Sequence, residues 1–300
     1  MQPVQLSSGD LVADRRAAYA EMLFESGDRA AAADLMRDTL ALAPGWTAGW
    51  YRLGEMLHEA GRQEEAAGAW RETLRLDPED RLGATLRLGL LDAGAQPDAV
   101  PPAFVEALFD QYADSFEESL VEKLDYRVPS LLTDAIMRLG RGCFGLCVDL
   151  GCGTGLMGEH LRAVTGKLEG VDISGGMLKR AGAKNIYDRL VHADLNDYAM
   201  PTGADLVTAA DVFIYVGALD TLIGGIAAAL PMDGVLAFSV ERHGGPEDMA
   251  LRRSRRFAHS ETYVRALLEP AFRIASIERA TIRMDAGEPV EGLIVVALRK

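Results

Sequence analysis

Along the middle of the chain Phe104, Leu108, Tyr112, Phe116 and Leu120 recur at four-residue spacing, with Val105 and Phe109 beside them. That period lines one face of a helix, so the run predicts an amphipathic helix. A second helix is predicted from Pro129 to about Leu139. From residue 145 the pattern changes to short apolar runs at Gly145–Leu150, Leu168–Ile173, Leu190–Ala193, Ala204–Ala210 and Val235–Val240. Helix-like stretches such as Met157–Val164 and Leu219–Leu230 separate them. This alternation predicts an α/β fold, a parallel sheet with helices on both faces. After Pro270, Phe272–Ile282 and Gly292–Leu298 read as two strands, an antiparallel pair closing the sheet at a total of seven strands.

The amino-terminal third repeats itself with a period of 34 residues. Tyr19 falls on Leu53, Ala20 on Gly54, Leu23 on Leu57, Gly27 on Gly61, Ala32 on Ala66, Met36 on Trp70, Thr39 on Thr73 and Pro44 on Pro78. This resembles the tetratricopeptide repeat, a helix–turn–helix unit, with Trp50, Leu53, Gly54, Gly61, Ala66, Trp70 and Pro78 at the motif's places. A third unit from Leu86 to Gly94 matches a first helix only. Chain breakers cluster from Gly94 to Pro102. The expected layout is an all-α repeat domain at 1–95, a linker at 96–102 and the α/β domain at 103–300. The repeats either dock a peptide or partner protein, or serve self-association.

Composition narrows the function. In 300 residues, 31 Lys and Arg stand against 45 Asp and Glu, a formal charge of −14. That argues against binding nucleic acid or an anionic membrane through clustered positive charge. Cys143, Cys147 and Cys152 are too few and too clustered for a disulfide framework, and no zinc-ligand spacing flanks them. No signal-peptide pattern opens the chain, and no apolar run approaches a bilayer span. A cytoplasmic protein without a metal is expected.

The sharpest chemical signal is Val148-Asp149-Leu150-Gly151-Cys152-Gly153-Thr154-Gly155, at the end of the first predicted strand. Glycines allow a tight turn and close approach of a ligand to backbone N–H groups at a helix start. Gly153, Gly155 and Gly158 also satisfy the dinucleotide fingerprint, which keeps a nicotinamide cofactor open. Asp149 would repel a pyrophosphate but welcome a cationic ligand. Asp172 ends the second strand, placed to accept from two ribose hydroxyls, and Asp194 ends the third, where an acid can accept from an adenine amine.

In combination these motifs resemble the class I S-adenosylmethionine-dependent methyltransferases, over about residues 102–300. The resemblance implies a Rossmann-like, mostly parallel seven-stranded sheet with an antiparallel C-terminal strand. It also implies S-adenosylmethionine as cofactor and S-adenosylhomocysteine as product. Cofactor contacts would fall on Asp149, Gly151, Gly153, Asp172 and Asp194, with Ile173 and Leu195 flanking the adenine and Asp211 beside the transferred methyl. A finer resemblance, to bacterial methyltransferases with tetratricopeptide repeats, includes Phe109-Asp110-Gln111-Tyr112-Ala113-Asp114-Ser115-Phe116. In related enzymes such a helix folds over the cofactor, which would bring Tyr112 and Phe116 to it; a core stripe reads equally well.

On the acceptor side, Phe213-Ile214-Tyr215-Val216 stands where an Asn-Pro-Pro-Tyr-like sequence would indicate methylation of a nucleobase amine. That sequence is absent, and Tyr215 becomes a substrate-side candidate. Four arginines fall between Arg252 and Arg256. They read either as an anion clamp, with Arg252 and Arg256 on one helical face, or as a solvated charged face. His243, His259 and Tyr263 are candidate bases or orienting donors. The expected acceptor is a small molecule. A protein recruited by the repeats is the enzymatic alternative, and a non-catalytic cofactor-binding scaffold is the other.

Overall fold

A computed structural model describes residues 7–91, 97–113, 116–117, 124–285 and 287–300. The start of the chain to Leu6, residues 92–96 (the end of the expected repeat domain and the first residue of the expected linker), and Asp114, Ser115 and Leu120 of the expected helix lie outside the described residues. The chain divides into two compact units, Met1–Phe104 and Val105–Lys300.

The first unit is helical: α1 (Leu11–Glu25), α2 (Arg29–Leu40), α3 (Thr47–Glu59), α4 (Gln63–Leu76) and α5 (Ala84–Leu91). Asp10 and Asp28 cap α1 and α2 by accepting backbone N–H groups that the helix leaves unpaired. The repeat's register has a physical basis at Gly27 and Gly61. Both take positive φ, +93° and +78°, in the turn between paired helices. Gly54 has a different role. A Cβ there would lie 2.3 Å from the Trp70 indole, so a side chain would push α3 off α4. Trp70 is buried with its Nε1 donating to the Tyr51 carbonyl, and Ala32, Met36, Leu53, Leu57 and Ala66 fill the core around it.

In the second unit, β1 (Phe144–Leu150), β2 (Thr165–Asp172), β3 (Arg189–His192), β4 (Leu206–Ala209) and β5 (Val235–Arg242) pair in parallel in the order β3-β2-β1-β4-β5. Residues 235–240 are buried to the last one, which is why the run reads as continuously apolar and does not alternate. Two further short strands, β6 (Met249–Leu251) and β7 (Phe257–His259), form a hairpin, and β7 pairs with the C-terminal end of β5. β8 (Phe272–Asp285) and β9 (Glu288–Arg299) pair antiparallel, and β9 runs antiparallel along β5. The sheet is Rossmann-like and mostly parallel, with β9 as the antiparallel C-terminal strand. All seven expected strands are present, and the β6–β7 hairpin brings the number among the described residues to nine.

That hairpin corrects the expectation of a helical face carrying Arg252 and Arg256. The arginines form its turn: Arg252 N–H donates to the Arg256 carbonyl at 2.8 Å, and Arg255 takes φ +63°. Helices α6 (Pro102–Tyr112), α7 (Val128–Met137), α8 (Leu156–Leu161), α9 (Gly175–Ala183), α10 (Asp220–Ala229) and α11 (Glu261–Leu268) complete the chain. None of the described helices is long and apolar enough to cross a membrane.

Candidate active site

The C-terminal ends of β1, β2 and β3 bring the glycine loop and two of the acids to one edge of the sheet. Gly151 turns the chain out of β1 with φ +61°, and a Cβ there would meet the Val212 side chain at 2.4 Å. The loop after β4 therefore sits directly against the loop after β1. Gly153 also has positive φ, +54°, and the nearest atom to a Cβ would be the Phe116 ring at 4.0 Å. The N–H of Gly153 donates to Asp172 Oδ2 at 2.8 Å, and that of Ser174 to Asp172 Oδ1 at 2.8 Å. Asp172 is 7% exposed. Burial raises its pKa, and the two N–H bonds act in the opposite direction. Each oxygen retains a lone pair, so the carboxylate can accept from two more donors.

Asp149 is placed differently. Its Oδ2 accepts from the Tyr187 hydroxyl at 2.7 Å and its Oδ1 from the Thr208 hydroxyl at 2.8 Å, inside the protein. Burial pushes its pKa up to about 6, against the pull of those two hydroxyls, and the nearby Asp172 charge adds to the rise. Gly158 and Gly170 make room for the Tyr187 ring, since a Cβ at either would overlap it. Asp194 is half-buried, with Asn196 N–H and Nδ2 both donating to its Oδ1, and Ile173, just after β2, and Leu195, just after β3, are half-buried.

Residues of α6, together with Phe116 and Glu117, lie over this edge. Asp110 accepts from Ser174 Oγ at 2.6 Å and from Gly176 N–H at 3.0 Å. Phe116 stands over Gly153, and Glu117 pairs with Lys184 at 2.7 Å. Phe109 meets Phe116 and Tyr215 edge to face, with centroids 5.9 and 5.4 Å apart. Tyr112 is exposed on the same helix.

Asp211 follows β4 at φ +60°, its N–H held by Ser239 Oγ. Both of its oxygens accept from Arg283 Nη1 at 2.8 Å, while Arg283 Nη2 donates to Glu241. Arg283 is 1% exposed. Burial opposes its charge, and the Asp211 and Glu241 carboxylates more than offset that, so its pKa stands above the ordinary value. Arg256 is held by Tyr215 and by the nearby Asp211 and Glu241 carboxylates, which keep its pKa above the ordinary value against the cost of burial, and it reaches Asp285 at 3.5 Å.

The remaining candidates are engaged by the protein's own groups. His259 is fully buried with Nε2 donating to the Gly217 carbonyl at 2.7 Å, and burial lowers its pKa. The Tyr263 hydroxyl accepts from Leu219 N–H and donates to Asp220. His243 is buried and its Nδ1 accepts from Gly245 N–H. Arg252 is exposed and donates to the Arg242 carbonyl. The structure adds Tyr187, Thr208, Glu241 and Arg283, which pattern reading passed over. A signal existed for Arg283 and Glu241, charges standing next to fully buried strand residues.

Residues 148–238 match a family model described as a methyltransferase domain, and residues 47–80 match one described as a tetratricopeptide repeat. Over 140 residues the chain is 31% identical to methyltransferase-like protein 27 of Homo sapiens, covering 46% of this chain. The match spans 53% of that relative, about half its length. Magnesium protoporphyrin IX methyltransferase from Synechocystis PCC 6803, solved with bound S-adenosylhomocysteine, superposes with a TM-score of 0.52 at 21% identity, over 66% of this chain and 99% of the other. The N-methyltransferase NodS from Bradyrhizobium japonicum WM9 gives a TM-score of 0.47 at 21% identity, over 56% of this chain and 85% of the other.

Proposed function

From the premise that the chain is a class I S-adenosylmethionine-dependent methyltransferase with tetratricopeptide repeats, we propose that it transfers a methyl group to a small-molecule acceptor. The cofactor is S-adenosylmethionine, which when bound supplies a methyl carried on a sulfonium and open to in-line displacement. The observation that carries the reading is Asp172: a buried carboxylate, bonded to the glycine loop, with two acceptor positions still open. Those positions suit a pair of vicinal hydroxyls. The room under Phe116 at Gly153 suits a ligand lying close to the backbone, and Asp194 offers a further acceptor. These residues bind and orient. The Phe109–Phe116–Tyr215 ring contacts set an apolar cluster at the same edge, which suits displacement by a positioned nucleophile.

Tyr215 supports a small acceptor, because it is half-buried against Phe109. In this reading the repeats, within 1–95, hold a partner or a second copy, and the transfer domain is 103–300. The second reading, a protein acceptor, is favoured by the repeat match at 47–80. Calorimetric titration of the full chain with S-adenosylhomocysteine, and separately with NAD, tests the cofactor assignment: binding of the nucleoside and not NAD is expected, and the reverse overturns it. Labelled-methyl transfer in a cell extract tests the acceptor. Label is expected in the small-molecule fraction, and label confined to protein would establish the second reading.

A further inference from the structure

Where β5 ends, buried hydrogen-bond donors outnumber their partners. Among the described residues Arg242 Nε, His243 Nε2 and Arg283 Nε are all buried without a hydrogen-bond partner. His243 Nδ1 accepts from Gly245, so in the neutral ring Nε2 carries the proton and is a donor too. Unmet buried donors are costly, and an acceptor oxygen relieves them. Arg256 reaches this group from the β6–β7 hairpin: its carboxylate partner is Asp285, two residues from Arg283 along β8, at the limit of a hydrogen bond, 3.5 Å.

The acids of the corner bond Arg283 through its terminal nitrogens and do not reach the unpartnered Nε and Nε2 atoms. Both Asp211 oxygens and Glu241 Oε1 already receive Arg283's terminal nitrogens. Asp285 is the acid left for Arg256, and its side chain is 47% exposed, against 27% for the arginine. The corner also adjoins the cofactor edge. Asp211 precedes Val212, which packs on Gly151, and Tyr215 joins Arg256 to the Phe109–Phe116 rings above Gly153.

We propose that this corner is the acceptor subsite and that it recognises a small carboxylic acid with a flat apolar body. Arg256 takes the carboxylate in place of Asp285, and the edges of Tyr215 and Phe109 take the apolar part. A guanidinium offers a planar fork that matches two carboxylate oxygens, which a lone ammonium cannot do. Arg283, clamped by two carboxylates, is a positioning residue that holds Asp211 and the post-β4 loop in place. The proposal deepens the methyl-transfer reading and rests on it.

Ligand-observed NMR on the full chain, with and without S-adenosylhomocysteine, tests it with benzoate, benzamide and benzylamine as probes. Benzoate is expected to bind at least about tenfold more tightly than the other two. Arg256→Ala should weaken benzoate by about tenfold or more, Arg256→Lys should recover part of that, and S-adenosylhomocysteine binding should stay within about threefold in both. Arg273→Ala, an exposed arginine of β8 paired with Asp233, should bind benzoate as wild type does. Benzoate binding unchanged in Arg256→Ala, absent benzoate binding, or tighter binding of benzylamine each overturns the subsite. Failure of the wild-type chain to bind S-adenosylhomocysteine instead overturns the methyl-transfer reading, so the two failures are distinguishable.

Discussion

The Tyr187 hydroxyl donates to Asp149 Oδ2 at 2.7 Å, through a slot left by the missing side chains of Gly158 and Gly170. A glycine-rich sequence that reads as ligand-binding therefore also serves packing: one of its glycines admits a tyrosine that braces the buried acid of β1. Tyr187→Phe keeps the ring and removes one bond to a buried carboxylate. The expected loss is about 1–3 kcal/mol of stability, read as a lower denaturant midpoint with unchanged slope. An unchanged midpoint would show that the bond contributes nothing net.

Asp149 sets a pH dependence. Its folded pKa is about 6, against an ordinary carboxyl value of 3.8. Below the lower value both states hold the proton. Between about pH 4 and 6 the unfolded chain releases it while the folded chain keeps it, so stability falls as pH rises, and above about 6 the effect levels off. The total is about 3 kcal/mol. The difference in unfolding free energy between wild type and Asp149→Asn, followed from pH 3.5 to 7.5, should therefore decline for the wild type through that window. A flat difference would place the Asp149 pKa near its ordinary value.

Asp110 fastens α6 to the start of α9 through Ser174 and Gly176. Removing the carboxylate in Asp110→Ala should leave the fold intact and release the covering segment. Loss of two partly exposed charge-assisted bonds amounts to about 1–2 kcal/mol, so S-adenosylhomocysteine should dissociate about tenfold faster, as measured by surface plasmon resonance. An unchanged dissociation rate would show that the segment does not retain the ligand.

Arg283 joins Asp211 to Glu241 in a buried cluster. Arg283→Met leaves two carboxylates without their cation, and the expected destabilisation is about 3–5 kcal/mol. Adding Asp211→Asn and Glu241→Gln removes the uncompensated charges and should recover part of that loss. Equal stability of the single and triple variants would show that the charges are solvated in the folded state.

Much of this molecule is determined by local pattern. The 34-residue register reflects Gly27 and Gly61 at their turns and Gly54 against Trp70, and continuous apolar runs mark strands buried on both faces. Glycines and acids at strand ends mark the candidate edge because their backbone and charge requirements are local. The sequence could not say which way those acids face. Asp149 and Asp172 lie on neighbouring strands with similar spacing to their loops, yet one is turned into the protein by Tyr187 and Thr208 while the other keeps open acceptor positions at the edge. The arginine run illustrates the same limit. Charge spacing alone fits a helix face, but the backbone bond from Arg252 to Arg256 makes it a hairpin turn and separates the two side chains' surroundings. Partners such as Arg283, 72 residues from Asp211, are chosen by strand register and burial, which arise only when the sheet closes. The sequence thus determined the two architectures and the edge proposed to hold a ligand, and only tertiary packing decided which charges brace the fold and which keep open acceptor positions.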